Sequence, residues 1–211
     1  MTSREGVALV VSGPSGVGKT TLVDRLMAEF PGFARSVSCT TRPPRGQEVD
    51  GRDYHFMDVA EFERRREQGG FAEWAEVHGN LYGTPLEPVN ALLRQGRDMI
   101  FVIDVQGAAQ LKLSLPGAVF AFLLPPDLDA LERRLRGRGQ DDEEAMAKRM
   151  ENAIAELREA RWYDALVVND VLDEAYDRLR AVYLAATLAP ARNAGLVEAM
   201  LGDPFEAARR G

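Results

Sequence analysis

Apolar residues along this chain form short unbroken runs, and amphipathic stretches separate them. Four runs, at residues 7–11, 99–103, 119–124 and 165–168, predict buried strands of a parallel sheet. Between them, the spacing of apolar positions predicts helices at residues 20–29, 88–95, 128–136, 143–160 and 172–188. Strands and helices that alternate in this way indicate an α/β core, a parallel sheet flanked by helices. In such sheets the ligand binds beyond the carboxyl ends of the strands.

Residues 33–84 do not follow this alternation. We predict here an inserted small lobe of antiparallel strands with one helix at residues 59–68. The evidence is strand-like runs at 54–56, 71–74 and 76–78, with turn signals at Asp50-Gly51 and Gly79-Asn80.

An arginine-rich segment at residues 134–142 lies between two predicted helices, and Gly137 and Gly139 interrupt it. Glycines allow hinge motion, so this segment is interpreted as a mobile lid. The expected organisation is a core of residues 5–32 and 86–188, with the lid at about 134–149 inside it. The lobe takes residues 33–85, and a tail, helical by pattern only at 196–201, takes residues 189–211.

The segment between the first strand and the first helix matches the phosphate-loop pattern G-x-x-x-x-G-K-[ST] at every fixed position. Glycines let the backbone curve round a phosphate with its N–H groups inward, and the helix N-terminus adds a positive dipole. The lysine is expected to reach the β- and γ-phosphates, and the threonine hydroxyl to ligate Mg²⁺. The strand–loop–helix context therefore predicts a nucleoside triphosphate site, formed by Gly13, Pro14, Ser15, Gly16, Val17, Gly18, Lys19 and Thr20.

Composition narrows the class of protein. The net charge of −7 over 211 residues argues against wholesale non-specific binding of nucleic acid, but it is compatible with a local basic pocket. The single cysteine, Cys39, cannot form an internal disulfide, which favours a reducing cytoplasm. No secretory signal precedes the first strand, and the longest apolar stretch, residues 118–126, is too short to span a bilayer. We expect a soluble, cytoplasmic protein.

A second phosphate site is predicted in the lobe. Arg42 and Arg45 flank two prolines, and arginine binds phosphate bidentately. Glu48, Tyr54 and Tyr82 follow, and tyrosine hydroxyls are suited to complete such a cradle. Exposed arginines are common, so a solvated basic loop is the alternative.

A base pocket is also predicted. Guanine presents two N–H donors beside an acceptor, which a carboxylate and hydroxyls can match, as Glu73, Ser38 and Thr84 would. Taken alone, Glu73 is more often an exposed strand residue. Asp104 follows a predicted strand, so it is placed to help hold Mg²⁺ or to reach the acceptor base, and the sequence does not decide between these.

Three arginines are candidates for charge stabilisation during phosphoryl transfer. Arg134 and Arg138 are four residues apart, so on a helix they would share one face, and Arg149 follows in the next helix. The alternative is that they are surface residues in ordinary ion pairs.

These segments together resemble guanylate kinase of the bacterial type over roughly residues 5–185. The matching pieces are SGPSG at 12–16, SVSCTTRPPR at 36–45, GRDYHF at 51–56, GNLYGT at 79–84, IDVQG at 103–107, RG at 138–139 and VND at 168–170. The resemblance implies a P-loop NTPase core, a GMP-binding lobe and a lid. It implies the reversible reaction of ATP with GMP, and with dGMP, in the presence of Mg²⁺.

The resemblance also implies residue roles. The GMP site would consist of Ser38, Arg42, Arg45, Glu48, Tyr54, Glu73, Tyr82, Thr84 and Asp104. Arg134, Arg138 and Arg149 would act on the ATP phosphates, with Arg138 and Asn169 near adenine. One departure is Val102, where the family commonly carries an acid, and it leaves the metal's outer shell to Asp104, phosphates or water.

Transfer is expected to be direct and in line, because phosphoryl transfer needs positioning and charge neutralisation more than a protein nucleophile. Two alternatives remain open at this point. One is a kinase for another nucleoside monophosphate, against which Glu73 and Ser38 argue. The other is a non-catalytic binding module, against which the intact Lys19 and the loop arginines argue.

Overall fold

The computed structural model describes residues 4–137 and 143–201. Within these ranges the strands form two four-stranded sheets. The strands are β1 (Ala8–Ser12), β2 (Cys39–Thr40), β3 (His55–Phe56), β4 (Phe71–Val77), β5 (Asn80–Pro85), β6 (Met99–Val102), β7 (Val119–Leu124) and β8 (Ala165–Val168).

The helices flank these sheets. They are α1 (Lys19–Glu29), α2 (Val59–Glu67), α3 (Leu86–Arg94), α4 (Val105–Ser114), α5 (Leu128–Arg136), α6 (Glu143–Arg158), α7 (Leu172–Thr187) and α8 (Ala194–Leu201), with short 3-10 helices at Glu159–Trp162 and Pro190–Arg192. Among the described residues, no helix is both long enough and apolar enough to cross a bilayer.

The core sheet is parallel, in the order β6-β1-β7-β8. Successive side chains of β1 face opposite sides of it, as a strand requires. Leu9 and Val11 pack with α1 and α7, in a cluster that includes Leu26 and Leu179. Ala8 and Val10 pack on the other side with α3 and α4. The predicted α/β core, with helices on both faces of a parallel sheet, is confirmed.

The second sheet belongs to the lobe and has the order β3-β2-β5-β4. Its strands were predicted to be antiparallel throughout, and that was wrong for one pair, because β2 and β3 run parallel. The runs at 71–74 and 76–78 are one strand, β4, which pairs with β5. His78 and Gly79 connect them, both with positive φ, which is the requirement of a type I′ hairpin turn.

Helix α4 was not predicted from the sequence. Two of its three buried positions, Gly107 and Ala108, are small, so the sequence marks its inward face only weakly. The Asp104 carboxylate starts this helix by accepting a hydrogen bond of 2.9 Å from the Gly107 amide.

Asp98, just before β6, connects three parts of the core. Its Oδ1 accepts hydrogen bonds of 2.7 Å from Arg4 Nη1 and from the Val7 amide, and its Oδ2 accepts one of 2.7 Å from Tyr183 Oη. Burial alone would raise the pKa of Asp98, but these hydrogen bonds outweigh it and hold the pKa below its usual value. The ionised carboxylate therefore stabilises the fold at neutral pH, and this contribution is lost as the pH falls through the folded-state pKa.

We expect Asp98→Asn to lower the free energy of unfolding at pH 7 by about 2–3 kcal/mol, because it removes a charged acceptor from buried donors. Urea unfolding at pH 7 and at successively lower pH measures this, and the difference from the parent shrinks as the pH falls through the folded-state pKa of Asp98. Asp173→Asn is the matched control, since Asp173 pairs with Arg25 at an exposed site. An equal loss for both variants, or a loss independent of pH, would contradict the assignment.

Candidate active site

The loop between β1 and α1 has the backbone geometry of a phosphate cradle. Gly13, Gly16 and Gly18 all have positive φ, of 144°, 82° and 99°. A side chain on Gly13 would also meet the Leu123 carbonyl oxygen of β7 at 2.5 Å. Lys19 Nζ donates to the carbonyl oxygens of Gly13 at 2.6 Å and Pro14 at 3.2 Å, so the ammonium group lies across the mouth of the loop.

Asn169, which follows β8, holds this loop from the far side. Its Nδ2 donates a buried hydrogen bond of 2.8 Å to the Val17 carbonyl oxygen, and a Cβ on Gly18 would clash with the same amide group. The Asn169 carbonyl oxygen in turn accepts a bond of 2.9 Å from Arg134 Nη2. A cavity of about 350 Å³ adjoins Gly16, Gly18, Arg134 and Asn169. Sequence reasoning had placed Asn169 near adenine and missed its contact with the loop.

A second cavity, of about 350 Å³, lies on the other side of α1, and we call it the Glu73 cavity. Thr20, Ser38, Glu73 and Thr84 all border it, together with Val102 at the end of β6. The structure thus places Thr20 of the phosphate loop and the residues of the predicted base pocket around the same cavity, although they are far apart in sequence.

Glu73 is the central polar group of this cavity. Its Oε1 accepts a hydrogen bond of 2.6 Å from Thr84 Oγ1. Burial raises the pKa of Glu73, and the nearby charge of Asp104 adds to the effect. A half-buried carboxylate that still has free lone pairs is a strong acceptor for a pair of N–H donors.

The strand that carries Glu73 is fastened to the core. Trp74 and Gln110 of α4 exchange two hydrogen bonds of 2.9 Å between the Trp74 backbone and the Gln110 side-chain amide. Ser114 Oγ donates a further bond of 2.6 Å to the Ala72 carbonyl oxygen. These bonds on either side of Glu73 fix the position of its backbone relative to α4.

The predicted phosphate cradle of the lobe is assembled around Arg42, which is 6% exposed. Its Nη1 and Nη2 donate to the two Glu48 carboxylate oxygens at 3.0 and 2.9 Å, and its Nε donates to Tyr82 Oη at 3.2 Å. The guanidinium also lies over the Tyr54 ring, 5.5 Å from its centroid. The hydrogen bonds that Arg42 donates to Glu48 raise the pKa of Arg42, and the same contact lowers the pKa of Glu48. Arg42, Glu48, Tyr54 and Tyr82 therefore form one preformed cluster.

Arg45 differs from Arg42. Its backbone amide donates to Glu48 Oε2 at 2.7 Å, but its guanidinium is exposed and has no hydrogen bond or ion pair to the described part of the chain. Only one of the two loop arginines is therefore held in place by the protein alone.

Asp104 does not border the Glu73 cavity. It is exposed and borders a neighbouring cavity of about 490 Å³ with Asn152 and Glu156 of α6. The sequence analysis did not identify Glu156. Burial raises the pKa of Glu156, the positive charge of Lys19 opposes this rise, and the negative charge of Asp104 adds to it. The signal that could have identified Glu156 was its position as an acidic residue on the side of α6 turned toward the phosphate loop.

The structure places the three arginines predicted to act on the ATP phosphates in different surroundings, and one of them lies outside the described residues. Arg134 of α5 contacts Asn169, as described, and Arg149 is half-buried on α6. Arg138 and Gly139 lie outside the described residues, as do residues 140–142, so the predicted shared face of Arg134 and Arg138 stays a prediction.

The phosphate loop, the Glu73 cavity and the buried Arg42 cluster agree with the comparison to known families, in which the family model described as guanylate kinase matches residues 5–186. The chain belongs to the guanylate kinase family. The predicted family and the predicted class, a nucleoside monophosphate kinase, are confirmed.

Relatives in this family match the chain over most of its length. A guanylate kinase of Nitratidesulfovibrio vulgaris is 57% identical over 198 residues, covering 94% of this chain and 96% of the relative. A guanylate kinase of Lawsonia intracellularis is 54% identical and covers 93% of this chain and 92% of the relative. The crystal structure of guanylate kinase from Anaplasma phagocytophilum superposes with a TM-score of 0.65 at 33% identity, covering 91% of this chain and 92% of that one.

Proposed function

We propose that this member of the guanylate kinase family transfers the γ-phosphoryl group of ATP to GMP, in a reversible reaction that forms ADP and GDP. The observation that carries the proposal is the Glu73 cavity, where Thr20 of the phosphate loop and Glu73 of the lobe border one space. A donor phosphate on the loop and a base against Glu73 would then lie within a single site.

Guanine is recognised by the Glu73 carboxylate, which accepts from the N1–H and N2–H₂ donors, and by the hydroxyls of Ser38 and Thr84. Adenine lacks this donor pair and would leave the carboxylate unmatched in a half-buried site, which is costly. Recognition rests on the base and the phosphate, so we propose that dGMP is accepted as well.

The GMP phosphate binds at the cluster of Arg42, Tyr54 and Tyr82, with Arg45 closing on it from solvent. Glu48 holds the Arg42 guanidinium in place before the phosphate arrives. A preorganised guanidinium loses little side-chain entropy on binding, which favours tight positioning of the acceptor.

ATP binds with its phosphates in the loop of residues 13–20. Lys19 neutralises the β- and γ-phosphates, and Arg134, Arg138 and Arg149 stabilise the charge that develops during transfer. Asn169 keeps the loop backbone in its bound shape through Val17. No residue of the chain is needed as a nucleophile, so transfer is direct and in line.

Mg²⁺ is part of this proposal. Thr20 Oγ1 makes no hydrogen bond within the described part of the chain, and it borders the cavity between the loop and Glu73. A hydroxyl oxygen beside carboxylates and substrate phosphates is the donor set that Mg²⁺ prefers, so the residues present fit the ion. Thr20 would help to hold the ion there, and the chemistry that Mg²⁺ would supply is neutralisation of the phosphate charge. Asp104 stays a prediction, for either the metal or the guanine.

The division into a core, a GMP-binding lobe at residues 33–85 and a lid at about 134–149 is likewise proposed. The lobe has its own sheet, and β4 connects it to the core through α4.

A cytoplasmic location is supported by Cys39, a buried free thiol whose pKa burial raises, so the thiolate form is disfavoured.

The test of the proposed function is ADP production from ATP and Mg²⁺ with GMP, dGMP, AMP, dTMP and UMP offered separately. Rapid turnover with GMP, slower turnover with dGMP and negligible turnover with the others is expected. Turnover with a different monophosphate would overturn the guanine pocket. Binding of GMP by folded protein without any turnover would instead indicate a binding module.

Glu73→Gln is expected to lower kcat/KM for GMP by about 10²-fold, because the amide retains the Thr84 contact but presents a donor to the guanine donors. Steady-state kinetics with varied GMP measures this, with Glu76→Gln as the control, an exposed glutamate on the same strand. Unchanged GMP affinity in Glu73→Gln would remove Glu73 from the base site.

A further inference from the structure

Asp24 is a carboxylate on the wall of the Glu73 cavity that no role described so far uses. It lies on α1, four residues after Thr20, so the two side chains share one face of the helix. Both border the same cavity. Because Cα–Cβ bonds tilt toward the helix N-terminus, the Asp24 carboxylate leans toward Thr20 and the phosphate loop.

This carboxylate is unpaired, unlike the other acid of α1. Glu29 accepts hydrogen bonds from Tyr176 and Arg180. Asp24 is exposed to the cavity and makes no hydrogen bond or ion pair to residues that the structure describes. An exposed carboxylate is hydrated and needs no partner, so what distinguishes Asp24 is that it borders the same cavity as the Thr20 hydroxyl.

The other carboxylate that borders this cavity is Glu73, which is assigned to the guanine base in the proposed function. Val102, which ends β6 and borders the same space, is apolar and 41% exposed. Glu73 is engaged by Thr84 and carries a raised pKa. Asp104 borders the neighbouring cavity instead.

We propose that Asp24 is an outer-sphere carboxylate for the Mg²⁺ of the bound nucleotide, positioned one helical turn from Thr20 in the cavity that Val102 also borders. This rests on the proposed function, because the ion enters with ATP. Mg²⁺ gives up its water reluctantly and is commonly held through one or two carboxylates together with phosphates. At its position on α1, the Asp24 carboxylate would accept hydrogen bonds from water bound to the metal. It would thereby compensate for the absence of an acid at position 102.

The first test measures metal binding without turnover. Asp24→Asn, Asp177→Asn as an exposed control on α7, and the parent protein are titrated with Mn²⁺-ATP in the absence of GMP, and water-proton relaxation reports the bound Mn²⁺. Asp24→Asn is expected to weaken Mn²⁺-ATP binding roughly tenfold, the usual effect of removing an outer-shell partner. In EDTA, binding of metal-free ATP is expected to stay the same or tighten, because a negative charge near the triphosphate has been removed.

The second test is rescue by a carboxylate at another position that borders the same cavity. The double variant Asp24→Asn, Val102→Glu is expected to recover most of the Mn²⁺-ATP affinity, which a merely structural role for Asp24 would not allow. Unchanged Mn²⁺-ATP binding in Asp24→Asn, an equal loss with metal-free ATP, or a change confined to KM for GMP would each overturn the proposal. Absence of GMP turnover in the parent protein would count against the proposed function alone, since the metal titration does not require GMP.

Discussion

Lys19→Met is expected to lower kcat by about 10²–10³-fold, because it removes the positive charge that we propose stabilises the transferred phosphoryl group. In the structure the ammonium is already held at the loop mouth by the Gly13 and Pro14 carbonyl oxygens. Methionine has similar length and no charge, so the loss is electrostatic rather than steric. A coupled assay for ADP with saturating ATP and GMP measures the effect.

The control is Lys148→Met, at an exposed lysine of α6 that pairs only with Glu151 among the contacts described. Its kcat is expected to match that of the parent. Thermal unfolding of both variants separates loss of the fold from loss of catalysis. A kcat for Lys19→Met within tenfold of the parent would remove Lys19 from the catalytic group.

Arg42→Ala is expected to lower kcat/KM for GMP by about 10²-fold or more, since it removes the buried guanidinium that we propose binds the acceptor phosphate. The effect has a second source: Glu48 loses its partner and leaves a negative charge facing an incoming anion. The double variant Arg42→Ala, Glu48→Gln is therefore expected to recover part of the loss. Steady-state kinetics with varied GMP resolves both contributions.

Arg52→Ala serves as the matched control for the lobe. Arg52 is an exposed arginine paired with Asp53, and kcat/KM for GMP is expected to stay near that of the parent. Near-parent kinetics in Arg42→Ala would exclude Arg42 from the site. A double variant no better than Arg42→Ala would show that Glu48 acts only as a structural support.

Features encoded within a short window were predictable from the sequence. The phosphate loop is one such feature, because its glycines, Lys19 and Thr20 lie in eight consecutive positions. The core strands were placed to within a residue or so, because a buried parallel strand is a continuous apolar run. Helix α5 was predicted at its observed bounds, since its apolar positions follow a strict helical spacing.

Features that depend on distant contacts were not predictable. The Asn169 contact with Val17 joins residues 152 positions apart, and nothing in either local sequence indicates it. The pairing of Arg42 with Glu48 was also missed, although both were assigned to one site, because the sequence does not show which side chain is buried. Strand β2 is two residues long, too short for any periodicity to reveal.

The position of β1 in the core sheet has a consequence for how the chain is made. This strand is synthesised first, yet it lies between β6 and β7, which begin at Met99 and Val119. A nascent chain on the ribosome therefore carries β1 with both edges unpaired while all four strands of the lobe, complete by Pro85, already have their partners. The lobe sheet can therefore complete its strand pairing during translation before the core sheet does, and the apolar β1 is shielded only after the rest of the core has been synthesised.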